Sequence, residues 1–334
     1  MNHEAPEPNL LTVQGLSLCV NGDEHALVSG ASLYAARGEV VGIAGESGSG
    51  KSLTLRAIAG LLPRGIAVSD GRIEVDGLSV VDASPGELRR LCGESVGLVF
   101  QEPMTALNPT MRIGTQIAEA VAAQGDISRS QAKERAVELL GRVGFPQPER
   151  RYRLYPHQLS GGMRQRVVIA IALGGNPSLL LCDEPTTALD ATVTLKILDL
   201  LLDLVRDLNI GIVFVTHDLG VAARMCDRIV VMYAGRVVEE GPAGEILRRP
   251  RHPYTLALLR AVPTRDRDID ELKAIPGIPP QPSEVPSGCP FSPRCEFVEP
   301  SCLDGIELVS IEDDRSTACR RHRLLGEMAG ALHD

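Results

Sequence analysis

The chain has 334 residues, 44% of them apolar, and a formal net charge of -9. That much apolar content supplies a core for one large domain with a smaller one beside it, and it excludes a disordered chain. The acidic balance argues against a nucleic-acid partner, since such binding draws on clustered Lys and Arg, whereas a phosphate ligand held by backbone amides stays open.

Residues 10–45 read as short strands with turns. The last apolar run, "EVVGIA", leads into "GESGSGKS" (45–52) and then "LTLRAIAGLL", so strand, glycine loop and helix are expected in that order. Over 128–144, Ala132, Ala136, Leu139, Leu140 and Val143 recur at helical spacing, with Ser128 or Ser130 as N-cap and Gly144 as the stop. Next, "PSLLLCDEP" is a buried strand ending in acids, and "TVTLKILDLLLDLVRDL" is a helix with Leu and Val nearly all round. "IGIVFVTHD" is a second buried strand. Buried strands alternating with helices predict an α/β fold with a largely parallel sheet. After about residue 250, seven prolines between Pro276 and Pro293 make an extended segment that leads to a small cysteine-bearing module.

The N-terminal "MNHEAPEPNLL" has neither a basic nor an apolar leader region, and no stretch approaches the roughly 18 apolar residues of a membrane span. The expectation is a chain that stays in the cytoplasm and meets a membrane only through a partner.

The glycine loop carries the first piece of chemistry. Gly45, Gly50, Lys51 and Ser52 fit G-x-x-x-x-G-K-[ST], with Glu46, Ser47, Gly48 and Ser49 between them and Leu53 following. Such a loop curls successive N–H groups around phosphate oxygens at a helix N-terminus. The lysine reaches the β/γ oxygens and the hydroxyl binds Mg²⁺. Asp183 and Glu184 close an apolar strand, where side chains emerge beside the loop: Asp183 suits the Mg²⁺ shell and Glu184 can polarise the attacking water. "LSGGMRQR" (159–166) places Ser160, Gly161 and Gly162 at a second amide-rich helix start.

In order along the chain, "GESGSGKS", Gln101, "LSGGM", "LLLCDE", "TALD" (187–190) and "VTHD" with His217 resemble the ATP-binding cassette (ABC) ATPases over roughly residues 10–250. The resemblance implies a P-loop cassette: a RecA-like parallel sheet with an antiparallel β subdomain and a helical subdomain at about 102–178. It also implies that Lys51, Ser52, Gln101, Asp183, Glu184 and His217 serve the chain's own ATP. Ser160, Gly161 and Gly162 would instead reach the nucleotide of an opposite subunit, with Asp190 linking the two sites. His217 would contact the γ-phosphate. Family members usually stack an aromatic ring on adenine ahead of the phosphate loop. "SLCVNGDEHALV" has none, so Val20 or His25 is expected there.

Two further stretches, "QEPMTALNPTMRIGTQIAEA" (101–120) and "RHPYTLALLRAVP" (251–263), resemble ATPase subunits of dipeptide and oligopeptide importers, as does "GCPFSPRCEFVEPSC" with the later "ACRRH". By that resemblance residues 1–250 are the ATPase domain and 251–334 an importer-type C-terminal module. Residues 101–120 would receive a helix from a membrane-spanning partner. The implied assembly has a second ATPase subunit, two permease subunits and an extracytoplasmic binding protein, on the cytoplasmic face of a bacterial inner membrane. Nickel, glutathione, an opine or an oligosaccharide are alternative cargoes. A soluble, non-transport cassette ATPase is the alternative class, although such proteins commonly carry a second cassette or a coiled-coil insertion, and neither is present here.

Of eight cysteines, Cys289, Cys295, Cys302 and Cys319 fall in one segment, with five, six and sixteen residues between them. This spacing lacks the close C-x-x-C pairs of zinc ribbons, while four-Cys iron–sulfur ligation tolerates varied spacing. Zinc, unligated thiols and disulfides remain open on the residues alone; resemblance to importer subunits favours a [4Fe–4S] cluster. Arg320, Arg321 and Arg323 are either a solvated face or charge compensation for that cluster.

Overall fold

The computed structural model describes residues 9–325, apart from 24, 124, 126, 188, 262–273 and 313. Ala188 of "TALD", Val262 and Pro263 of "RHPYTLALLRAVP", and both ends of the chain therefore lie outside the described residues.

β1 (Leu11–Val20) and β2 (Ala26–Ala35) form an antiparallel pair. β3 (Val40–Ala44), buried at every position, enters the phosphate loop and then α1 (Lys51–Ile58). β4 (Ile66–Val75) and β5 (Leu78–Ser79) complete a four-stranded antiparallel sheet in the order β2-β1-β4-β5. α2 (Pro85–Arg90), capped by Ser84 and Glu87, precedes β6 (Val96–Val99).

The stretch expected to be helical holds α3 (Pro103–Ala106), α4 (Ile113–Ala122), α5 (Arg129–Arg142), α6 (Pro148–Arg151) and α7 (Gly161–Ala172). In α5, Ser128 is the N-cap. Its Oγ accepts the Gln131 N–H at 3.3 Å and the Gln131 side chain accepts the Ser128 N–H at 3.0 Å, a reciprocal capping box. Ala132, Ala136, Leu139, Leu140 and Val143 are all buried, and Gly144 takes a φ of +85° just past the helix end.

β7 (Leu179–Asp183), α8 (Ala191–Leu208), β8 (Gly211–Thr216), α9 (Leu219–Met225) and β9 (Arg228–Tyr233) alternate as expected, and β10 (Arg236–Pro242) turns back antiparallel to β9. α8 departs from the expectation of Leu and Val nearly all round. It buries Ile197, Leu198, Leu200, Leu201, Leu204 and Val205 on one face and leaves Leu195 exposed, because Lys196, Asp199, Asp203 and Arg206 take the water-facing positions.

After α10 (Ala243–Arg248) and α11 (Pro253–Ala261) the proline-rich segment leads to β11 (Val309–Glu312) and β12 (Arg315–Thr317). These last strands join the central eight-stranded sheet, in the order β11-β12-β10-β9-β3-β8-β7-β6, through antiparallel pairing of β12 with β10. Strands on either side of residue 250 thus share one sheet.

β9, β3, β8, β7 and β6 run parallel, and their side chains alternate between two cores. β3 sends Val40 and Ala44 to the core packed by α4, α5, α7 and α8, and Val41 and Ile43 to the one shared with α1 and the antiparallel sheet. Burial on both faces explains why these strands read as continuous apolar runs. β3 lies between β8 and β9, both of which come much later in the chain, so the crevice beyond its C-terminal end gathers loops from distant parts of the sequence.

Candidate functional site: a phosphate loop with a carboxylate centre

The loop between β3 and α1 needs its glycines. Gly45 has a φ of +151° and Gly50 one of +98°. A Cβ on Gly45 would run into the Met232 carbonyl, and one on Gly50 would sit 2.9 Å from Val28 Cγ2. Lys51, buried at the first position of α1, donates from Nζ to the carbonyls of Gly45 and Glu46 at 2.8 Å each. Burial lowers its pKa; the Glu184, Asp183 and Glu46 carboxylates oppose that shift without cancelling it. One residue on, Ser52 Oγ donates to Asp183 Oδ1 at 2.7 Å, joining the helix start to the end of β7. Asp183 is itself buried.

Glu184 follows with a φ of +46°, a left-handed conformation that costs a non-glycine residue about 1–3 kcal/mol. Its N–H donates to the Val215 carbonyl at 3.1 Å. Its Oε2 collects three neighbours: Thr187 Oγ1 at 2.9 Å, His217 Nδ1 at 3.0 Å and Gln101 Nε2 at 3.4 Å. The end of β7, the turn after it, the end of β8 and the turn after β6 therefore meet at one carboxylate oxygen.

A cavity of about 610 Å³ is lined by Ser47, Gly48, Ser49, Gly50, Lys51, Ser52, Leu53, Gln101, Glu184 and His217. Of the remaining residues assigned to the chain's own nucleotide, Asp183 joins through Ser52, and Gly45 and Glu46 through Lys51. Ser160, Gly161 and Gly162 do not line this cavity. Ser160 caps α7 by accepting the Met163 N–H at 3.4 Å, Gly161 is exposed, and Gly162 packs against Val193. Asp190 caps α8, accepting the Val193 N–H at 2.9 Å.

Val20 and His25, expected beside the base, lie outside this cavity. His25 is bound to Asp23 at 2.8 Å and exposed, Val20 is exposed as well, and neither lines the cavity, which takes Ala26 and Leu27 instead. Sequence reasoning also missed Thr187, although it sits in the quoted "TALD" three residues after Glu184. It missed the C-terminal contributions altogether. Tyr254 Oη accepts the Glu46 N–H at 2.7 Å, and Arg294 holds both Glu46 carboxylate oxygens, at 2.7 and 3.1 Å. Burial works against the Arg294 charge, but its hydrogen bonds to Glu46 and Tyr233 outweigh that and hold the guanidinium more firmly protonated than usual.

In the C-terminal module Cys289, Cys295, Cys302 and Cys319 all line one small pocket with His252, Arg320 and Arg321. Burial raises the thiol pKa of Cys289, and those of Cys295 and Cys319 to about 11 and about 12. His252 Nδ1 accepts the Tyr254 N–H at 3.1 Å, which leaves Nε2–H facing Cys289 Sγ at 3.8 Å. Among the described residues, no group of three or more His, Cys, Asp or Glu is placed to hold a metal ion, and all eight cysteines are free. Arg321 donates to the Phe297 carbonyl and Arg320 to that of Gly305, while Arg323 is exposed.

A phosphate loop, a hydroxyl–carboxylate pair and a carboxylate contacted by Gln101, Thr187 and His217 define a nucleoside-triphosphate hydrolase of the P-loop class. The ABC transporter family matches residues 28–187, and the family of oligopeptide/dipeptide transporter C-terminal regions matches residues 238–302. The chain is 47% identical over 292 residues to the oligopeptide transport ATP-binding protein OppD of Bacillus subtilis, covering 86% of this chain and 82% of that one. It is 45% identical over 294 residues to AppD of the same organism, with 87% and 90% covered. A solved dimer of the ATP-binding cassette MJ0796, in a post-hydrolysis state bound to ADP and Pi, superposes with a TM-score of 0.62 at 31% identity, covering 70% of this chain and 98% of that one. The chain belongs to the ATP-binding cassette transporter ATPases, in the branch that carries the oligopeptide/dipeptide transporter C-terminal region.

Proposed function

We propose that this chain hydrolyses ATP to power uptake of di- or oligopeptides across a bacterial inner membrane. It works at the cytoplasmic face with a second, homologous ATPase subunit, beneath two membrane-spanning permease subunits supplied by an extracytoplasmic binding protein. The observation that carries the reading is the convergence of Gln101, Thr187 and His217 on Glu184 Oε2 in the cavity that holds the phosphate loop.

With ATP in that cavity, Lys51 exchanges the Gly45 and Glu46 carbonyls for β/γ-phosphate oxygens. Glu184 takes up the proton of the attacking water, oriented by Thr187 and His217, and His217 contacts the γ-phosphate. Ser52, Asp183 and Gln101 would hold Mg²⁺ through hard oxygen donors, and the ion would supply charge neutralisation at the transferred phosphoryl group. Ser160, Gly161 and Gly162 at the start of α7 are offered to the nucleotide of the neighbouring subunit, and the dimeric state of the related MJ0796 cassette supports that arrangement. Binding of ATP between two subunits favours the closed pair and hydrolysis releases it, biasing the permease between conformations. Exposed Phe100 and Met104 beside Gln101 give a permease helix an apolar seat.

No helix among the described residues is long and apolar enough to cross a membrane, so membrane attachment through the permease fits the chain. Peptide cargo rests on the named relatives OppD and AppD, whose importers carry oligopeptides by name. Cys289, Cys295, Cys302 and Cys319 would hold a [4Fe–4S] cluster. Their convergence on one pocket and the His252 N–H facing Cys289 support a group held by the four thiols. Anaerobically purified chain should be brown and contain iron, and Cys302→Ser should lose most of it; colourless chain containing zinc contradicts the cluster.

The functional reading is tested by purifying the tagged chain from detergent-solubilised membranes. Permease subunits should come with it, and the complex should hydrolyse ATP faster with peptide-loaded binding protein. A chain found only with soluble partners overturns the transport reading.

A further inference from the structure

Part of the 610 Å³ cavity has no counterpart among the phosphate-binding motifs. Its remaining walls include Ala26 and Leu27, at the start of β2, and Pro280, Pro282 and Val285 from the proline-rich segment. None of these five side chains carries a polar group, so together they offer an apolar face to whatever extends beyond the phosphates. A second cavity of about 230 Å³ is lined both by Glu46 to Ser49 of the phosphate loop and by Ile278 to Pro282, so the proline segment follows the loop closely.

Arg294 fastens this segment to the loop. Its Nε donates to the Pro276 carbonyl at 2.7 Å and Nη2 to that of Ile275 at 3.4 Å, where the proline segment begins. Nη1 and Nη2 also grip Glu46 at 2.7 and 3.1 Å, and Nη1 reaches Tyr233 Oη at 3.2 Å. All five guanidinium N–H donors are used, and a lysine could not reproduce that fork.

We propose that residues 278–285 form a strap that supplies the nucleobase wall of the ATP site. Pro280, Pro282 and Val285, facing Ala26 and Leu27, take the place of an aromatic ring, and Arg294 is the positioning residue that sets the strap on the phosphate loop. Proline rings suit this work because their backbone is already restricted, so little conformational freedom is lost when the base packs on them. The C-terminal region is then part of the nucleotide site and not an appendage to it. The inference rests on the nucleotide-binding reading above and adds the residues that recognise the base.

The test compares Mg-ATP with Mg-tripolyphosphate, which has no base, by titration calorimetry on the full-length chain. In the Pro280→Gly/Pro282→Gly variant the Kd for ATP should rise about tenfold while that for tripolyphosphate stays within about twofold; Arg294→Gln, which also releases Glu46 of the phosphate loop, should weaken ATP more than tripolyphosphate. Pro280→Ala removes part of one ring and leaves the Arg294 anchor in place. It should weaken ATP about threefold with the same selectivity, and it keeps the test usable if either larger change prevents folding. Equal weakening of both ligands, or no weakening of either, overturns the strap. Wild-type chain that binds neither ligand overturns the nucleotide reading beneath it.

Discussion

The two ends of the nucleotide cavity are built on different principles. At the phosphate end, Gly45, Gly50, Lys51, Ser52, Asp183 and Glu184 come from the ends of two strands of one sheet, β3 and β7, and from the start of α1, and charge and backbone geometry there permit few substitutes. At the other end, Ala26, Leu27, Pro280, Pro282 and Val285 need only be apolar and held in place, and they come from parts of the chain more than 250 residues apart. Phosphate recognition leaves a motif in the sequence, whereas an apolar wall leaves none.

The largest effect that can sharpen this contrast is at the phosphate end. Glu184→Gln should lower the kcat of the assembled complex about 10²–10⁴-fold while ATP still binds, measured by steady-state hydrolysis alongside nucleotide binding. Near-normal turnover would remove Glu184 from its role. Next comes Thr187→Val, which deletes one of the three donors to Glu184 Oε2. A hydrogen bond to a charged group predicts a fall of roughly tenfold in kcat with KM little changed. An equal effect on KM would make Thr187 a binding group instead. The strap variants fall in the same range but in the opposite column, acting on ATP affinity and not on turnover at saturation.

The smallest effect lies away from the cavity altogether. Ser128→Ala removes the α5 cap and should cost about 1 kcal/mol of stability in denaturant unfolding, with ATP affinity unchanged. Any change in nucleotide binding there would mean that the helical region is coupled to the site in the isolated chain.

Much of the fold could be read from residue patterns. The buried strands β3, β7 and β8 appear as unbroken apolar runs because both their faces are covered. α5 could be read down to its cap, because Ser128 and Gln131 carry the signal locally. Leucines crowd the sequence of α8 nearly all round, yet its charged residues fall together on the water-facing side. The pairing of β12 with β10 joins residues some 76 positions apart, as in Ser316 with Glu240, and no local pattern announces it. Within the site, Lys51, Asp183, Glu184 and His217 stand in motifs that are visible in the sequence. Arg294 was hidden because a buried arginine that grips Glu46 looks, in sequence, like any basic residue in a loop.

The most direct measurement is a high-resolution map of the transporter assembled with Glu184→Gln chain and loaded with Mg-ATP. Each triphosphate should touch the phosphate loop of one subunit and, from across the interface, the serine–glycine helix start of the other; in this chain those groups are Lys51 with Ser52 and Ser160 with Gly162. Nucleotides whose protein neighbours all come from one chain would contradict the account.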